Sequence, residues 1–409
     1  MNYKILFLII IVLTYLVNLL ISLLEINSVK RPIPDLVKDV YDVSTYANWK
    51  SYKYESIRFG IIEDTVKILF LILMIIFNFY PFVSRNISNQ YLEILVVLSI
   101  YIAVDFLVSL PFSIYKDFHI EAKYGFNRTT PITFLKDTLI GLLIEFVITL
   151  TPVYFYVLIY GVLNTWTILI SFIALLIIMI LFSFLFPYLS KIFNKFTPLP
   201  DGELKTKLIE LGNKCGYRFS NIYVIDASKR SIRENAYFAG FGKTRRIVIY
   251  DTLLNKYSVD EIVAIFAHEL GHAMHKDTLK NIPNLVISCF VLVIGYYFLT
   301  QYPFIYTDFG FSGISYSFGL ILFNESLNLL EIIFRIYTNW ISRKHEYAAD
   351  LNATKFGYGK SLISSLKKLS RNNFSYLNVN PLLKVLVWTH PTLTERIENI
   401  NKNLNKETK

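Results

Sequence analysis

The chain has 409 residues, 54% hydrophobic and only 18% charged, with a mean hydropathy of +0.44, which excludes an ordinary soluble domain and makes the bilayer the expected solvent. Its formal charge of +10 does not read as a nucleic-acid footprint, because Lys and Arg gather in particular connections between apolar stretches and no basic run carries interleaved aromatics. Cys215 and Cys289 are far apart, allow at most one bridge and have no metal-ligand neighbours, so a disulfide framework is excluded.

In chain order, seven stretches are long and apolar enough to span a bilayer, whose core takes ~20 helical residues. They run from about Ile5 to Leu24, Thr65 to Val83, Tyr91 to Tyr115, Leu139 to Leu163, Trp166 to Leu189, Ile282 to Phe304 and Phe311 to Ile333. The first is longer than a signal-peptide core and lacks a small-residue cleavage site, so it is expected to be retained. Lys30, Arg31, Lys38, Lys50, Lys53, Arg58, Lys116, Lys123, Arg128 and Lys136 lie on one side, against Lys4 and Arg85 on the other. The N-terminus is therefore expected outside, with Ser190 to Asn281 and the C-terminal tail on the cytoplasmic side. Asp105, Glu145, Glu325 and Glu331 fall inside expected spans, where facing lipid would cost a few kcal/mol each, so they are expected to face protein or water.

Between the fifth and sixth spans the pattern changes to that of a soluble α/β unit. Glu203 to Lys214 has helical periodicity ending near Gly216, while Ile222 to Ile225 and Arg246 to Tyr250 read as strands. The Lys/Asn-rich end, Asn401 to Lys409, reads as a frayed helix terminus.

His268-Glu269-Leu270-Gly271-His272 follows the capping box Ser258-Val259-Asp260-Glu261 and an apolar run, so the motif is expected mid-helix. At 3.6 residues per turn its imidazoles share a face and can bind one tetrahedral Zn²⁺. Glu269 would then stand beside the metal as the base that takes a proton from the attacking water. A third ligand is needed, and Glu346 and Asp350 share a face of a later helix, a pairing that suits one ligating carboxylate and one acceptor orienting an imidazole N–H. His275 follows His272 too closely, without the glycine turn of metzincin-like sites, and His345 would point about 100° away from Glu346. His390, in His390-Pro391-Thr392, could donate to an oxyanion; His119 reads as structural or interfacial.

Taken in order, Phe118 to Glu121, Tyr124 to Thr130, Phe193 to Leu199, Val224 to Ser231, Asn235 to Phe238, Arg246 to Thr252, the HExxH, Glu346 to Asp350, His390 to Thr392 and Glu395 to Ile397 resemble the integral-membrane CAAX prenyl endopeptidases. The resemblance covers nearly the whole chain after about Tyr46. It implies a mainly α-helical membrane protein with seven transmembrane helices around a water-filled chamber, a gluzincin-like α/β metalloprotease domain on the cytosolic side, and one zinc ion. It assigns Glu346 as third ligand beside His268 and His272, Glu269 as base and His390 as transition-state donor, and it leaves Asp350 in the supporting role read from the helix face. Asn235 and Ala236 would lie on an edge strand that bonds the substrate backbone, and Arg396 would be a structural or substrate contact. Arg233 stands where relatives often carry His, and Ala273 to Asp277 replaces a Trp-Lys-containing turn; neither departure is expected to touch a ligand. The chain is shorter than eukaryotic members, which suggests a bacterial counterpart.

The expected division is residues 1–189 for five spans and their loops, 190–281 for the metalloprotease domain with the HExxH helix, 282–333 for two spans, and 334–409 for the part carrying Glu346 and His390. Expected partners are the bilayer and a peptide or protein substrate, prenylated in the family's manner, with no nucleic acid; the oligomeric state is left open. The location would be the endoplasmic reticulum membrane in a eukaryote or the inner membrane in a bacterium. A broader membrane-protein quality-control protease is the alternative, and a transporter is disfavoured because no matched pair of interrupted helices is visible.

Overall fold

The computed structural model describes residues 2–217, 221–239 and 246–407, and Thr408 and Lys409 of the expected frayed terminus lie outside them. The long helices are α1 (Tyr3–Lys30), α2 (Val43–Ile76), α3 (Gln90–Tyr115), α4 (Pro131–Leu163) and α5 (Thr167–Phe193). Strand β1 (Phe196–Pro198), helix α6 (Glu203–Lys214), β2 (Asn221–Ile225), β3 (Ala236–Ala239) and β4 (Arg246–Tyr250) form the α/β part. After it come α7 (Val259–Met274), α8 (Ile282–Leu299), α9 (Tyr316–Lys355), α10 (Gly359–Asn372) and α11 (Leu393–Glu407).

Five stretches among the described residues have the length and composition of a membrane crossing: Tyr3–Lys30, Gln90–Glu121, Pro131–Phe182, Asp277–Leu299 and Tyr316–Lys355. The third holds α4 and the first part of α5, which are separated by Asn164 at φ 48°. The expected span from Thr65 to Val83 is divided differently. Helix α2 ends at Ile76, left-handed Asn78 turns the chain, and a short helix Phe79–Ser84 follows. Glu63, Asp64 and Lys67 interrupt the apolar run in the second half of α2.

The membrane-type helices share a core built from Phe7, Ile75, Ile94, Leu98, Val153 and Phe318. Of the ionisable residues expected there, Asp105 and Glu325 line a cavity of about 280 Å³ with Asp64 and Lys67, and Glu331 pairs with Arg335 at 3.2 Å. A second core joins α6, β2, β4, α7, α10 and α11 through Leu208, Ile222, Ile249, Val263, Leu362 and Ile397. Val37, Tyr41 and Trp49, from the connection after α1 and the start of α2, pack into it.

The sheet order is β1-β2-β4-β3, with β2 parallel to β4 and the outer strands antiparallel to their neighbours. This leaves β3 on the edge, packed beside α7. Helix α7 starts where expected: Ser258 Oγ accepts from the Glu261 N–H at 3.3 Å and the Glu261 carboxylate accepts from the Ser258 N–H at 2.9 Å. Lys276, left-handed at φ 55°, ends it. Helix α9 closes on Gly357 at φ 84°, where Gly357 N–H reaches Thr354 O and Tyr358 N–H reaches Ala353 O, the paired bonds of a Schellman stop.

Candidate metal centre and active site

Helices α7 and α9 approach closely because small residues face each other. A Cβ added at Gly271 would sit 2.7 Å from Ala349 Cα, nearer than any side chain can come. Asn352 Nδ2 donates to the Ala267 carbonyl at 2.9 Å and fixes the sliding register of the two helices. Glu346 is thereby brought opposite the HExxH.

His268 and His272 have ring centroids 4.9 Å apart and planes at 90°. Glu346 Oε2 lies 3.5 Å from His268 Nε2, and Oε1 lies 3.3 Å from His272 Nε2. The three ligand atoms fall within 4.8 Å of one another. Glu346 Oε2 is buried without a hydrogen bond, an orphan that a cation among the three would satisfy. Two imidazole nitrogens and a carboxylate oxygen at this separation fit a metal ion.

Each imidazole is held from behind by a carboxylate. His268 Nδ1 is 2.9 Å from Asp350 Oδ1, and His272 Nδ1 is 3.0 Å from Asp277 Oδ2. Protons on Nδ1 turn both Nε2 lone pairs toward Glu346. Asp350 is gripped in turn by Arg396, with Nε to Oδ2 at 2.9 Å and a second nitrogen to Oδ1 at 2.6 Å. Another Arg396 nitrogen lies 3.4 Å from Glu346 Oε2, so this buried guanidinium holds two α9 carboxylates in place.

Asp277 went unrecognised in the sequence, and its position corrects the expectation that the Ala273 to Asp277 departure touches no ligand. An acid five residues after His272 was the available signal. What hid it is the left-handed Lys276, which folds the chain back so that Asp277 faces the imidazole.

Glu269 is half-buried beside the ligands, and burial lifts its carboxyl above the usual carboxylate range. Across the group, His390 Nε2 is 3.4 Å from Glu346 Oε1 and its Nδ1 is 2.7 Å from Thr389 Oγ1. Its side chain is 58% exposed and opens on a cleft of about 550 Å³ shared with Asn235, Tyr376 and Arg396. Asn235 directly precedes β3, and its carbonyl accepts from Tyr250 N–H at 3.1 Å. Strand alternation then turns the backbone groups of Ala236 to the open edge, with the Ala236 N–H held at 2.8 Å by Asn235 Oδ1. His345, His275 and His119 stay outside the ligand group. His345 Nε2 is 3.6 Å from Asp277 Oδ1, His275 caps α7, and His119 stacks on Tyr115 at 4.6 Å.

Residues 22–195 match the model of the CAAX prenyl protease N-terminal region with five membrane helices, and residues 198–404 match peptidase family M48. The chain belongs to peptidase family M48. This M48 peptidase is 30% identical to a CAAX prenyl protease 1 homolog of Arabidopsis thaliana, over 95% of each chain. It is 31% identical to CAAX prenyl protease 1 of Saccharomyces cerevisiae, over 89% of this chain and 87% of the relative. The crystal structure of S. mikatae Ste24p superposes on it with a TM-score of 0.92 at 28% identity, covering 98% of this chain and 99% of that one. The M48 peptidase is thus a multi-pass membrane metalloendopeptidase.

Proposed function

We propose that the metal is zinc, held by His268, His272 and Glu346, and that the enzyme cuts peptide bonds near the C-terminus of prenylated CAAX-type proteins. The observation that carries this reading is the convergence of the three ligand atoms within 4.8 Å, with Glu269 on the same helix as the two histidines. When bound, zinc supplies Lewis-acid activation of water and of the scissile carbonyl. Glu269 takes the proton of the attacking water and passes it to the leaving amine nitrogen. His390, exposed to the cleft, donates to the developing oxyanion. Asp350 and Asp277 hold the imidazoles in the ligating tautomer, with Arg396 positioning Asp350. The open edge at Asn235 and Ala236 bonds the peptide backbone as an added strand.

Seven helices around a hydrated chamber, with residues 190–281 and 334–409 forming a cytosolic catalytic part, complete the reading. It is supported by the cavity that Asp105, Glu325, Asp64 and Lys67 line and by the likeness to Ste24p. The membrane would be the endoplasmic reticulum in a eukaryotic host and the inner membrane in a bacterial one. The test is cleavage of a farnesylated CAAX peptide beside its unprenylated twin. Strong preference for the farnesylated peptide is expected, and equal rates would favour a quality-control protease without a prenyl requirement.

A further inference from the structure

Beside the start of β3 lie two cations that nothing in the catalytic apparatus uses. Lys53, on α2, rests its ammonium 4.6 Å from the centroid of the Tyr376 ring and 5.5 Å from that of Tyr52. Among the described residues it makes no ion pair and no hydrogen bond. Arg233 lies over the same Tyr52 ring at 6.0 Å and over Phe126 at 4.4 Å. One guanidinium nitrogen donates to Tyr52 Oη at 2.7 Å and to Glu121 Oε2 at 3.0 Å, and the other guanidinium N–H groups have no hydrogen-bond partner among the described residues.

Two carboxylates act on Lys53 electrostatically, Glu25 and Glu121. Glu121 is engaged, since Tyr52 Oη donates to its Oε1 at 2.6 Å while Arg233 takes Oε2. Glu25 lies within electrostatic reach of Lys53 but forms no ion pair with it. Burial, with the field of Arg233 added, pulls Lys53 down to about 8. A shielded ammonium short of counter-charge gains most from an arriving anion.

The anion's origin follows from the strand geometry. Tyr376, which carries Lys53 on its ring, lines the cleft with Asn235 and His390, and Arg233 precedes Asn235 by two residues. A peptide added antiparallel to β3, the more stable pairing, runs its C-terminal end back past Asn235 toward Arg233. At ~3.4 Å per residue, the distance from Ala236 to Arg233 is about 10 Å of strand, so a chain end a few residues beyond the scissile bond reaches the pair.

We infer that Lys53 and Arg233 form a receptor for the free α-carboxylate at the substrate's C-terminus, which sets the distance from the chain end to the bond that is cut. This rests on the proposed action on C-terminal peptides. It makes a specificity device of Arg233.

The test uses the metal-loaded enzyme in bicelles and three peptides of one sequence: a free acid, its C-terminal amide, and an acid lengthened by two residues. Wild type is expected to prefer the acid to the amide by roughly 10 to 100-fold in kcat/KM, as for loss of a charge-assisted hydrogen bond, and to cut the lengthened acid poorly. Lys53→Met and Arg233→Gln should each bring the acid-to-amide ratio toward unity, and Lys53→Arg should restore it. Lys50→Met, whose ammonium lies on Tyr46 at 4.5 Å, should leave the ratio as in wild type. Metal content and melting temperature of each variant separate folding defects from lost recognition. Equal cleavage of acid and amide by wild type, a comparison that needs no variant, overturns the receptor while leaving action on C-terminal peptides intact. An undiminished ratio in both Lys53→Met and Arg233→Gln overturns it equally. Failure to cut any of the tails, with internal cleavage of an unfolded protein, overturns the receptor together with the reading beneath it.

Discussion

Glu269, His390 and Asp277 surround the same three ligand atoms, yet their chemistry predicts three different failures. Glu269→Gln keeps the ligands and changes only a proton acceptor, so hydrolysis should fall roughly 10² to 10⁴-fold while metal content and melting temperature hold. Loss of metal in that variant would show that Glu269 is itself a ligand. His390→Ala removes a donor exposed to the cleft, and kcat should fall about 10²-fold with a smaller change in KM. An unchanged kcat would return His390 to a structural role. Asp277→Asn should leave the ligands in place but weaken the metal by roughly 10 to 100-fold, read by competition with a chelator. Unaltered retention would remove Asp277 from the site. His268, Glu269 and His272 were legible in the sequence because four residues of helix set their geometry. Asp277 was not, because its approach depends on one left-handed residue outside the helix.

Helix α7 carries His268 and His272 and α9 carries Glu346, so the three side chains converge only while these helices stay in close register. Gly271→Ala places a methyl 2.7 Å from the Ala349 backbone, where no flexible side chain can yield. We expect a loss of about 1 to 3 kcal/mol in stability, seen as a lowered melting temperature, together with weakened metal binding. A variant with wild-type melting and full metal would mean that the helices part freely. Element by element, the capping box of α7, helix α6 and strands β2 and β4 follow local patterns that could be read along the chain. The break of α2 at Ile76 and the docking of Tyr41 and Trp49 into the soluble core could not, since each depends on partners distant in sequence.

At the scale of the molecule, ten Lys or Arg residues in the first and third connections oppose Lys4 and Arg85. The segment from Ser190 to Asn281 and the C-terminus are therefore expected on the cytoplasmic side. Cysteines introduced at Asn213 and Lys409, in a chain freed of Cys215 and Cys289, should resist an impermeant thiol reagent in intact cells and react after permeabilisation. Labelling of both sites without permeabilisation would invert the orientation and assign the substrates to the opposite compartment. The metal chemistry would stand.

Apolar run length, charge distribution and the HExxH spacing are properties of neighbouring residues, so the membrane class and the metallopeptidase chemistry could be read before any fold was known. That Glu346 meets His268 and His272 from 74 and more residues away is a different kind of fact. So are the position of β3 at the sheet's free edge and the sharing of one Tyr52 ring by Lys53 and Arg233. Such contacts arise where separately specified elements pack, and their distances are set by the shapes that interdigitate there. Tertiary structure alone decided them.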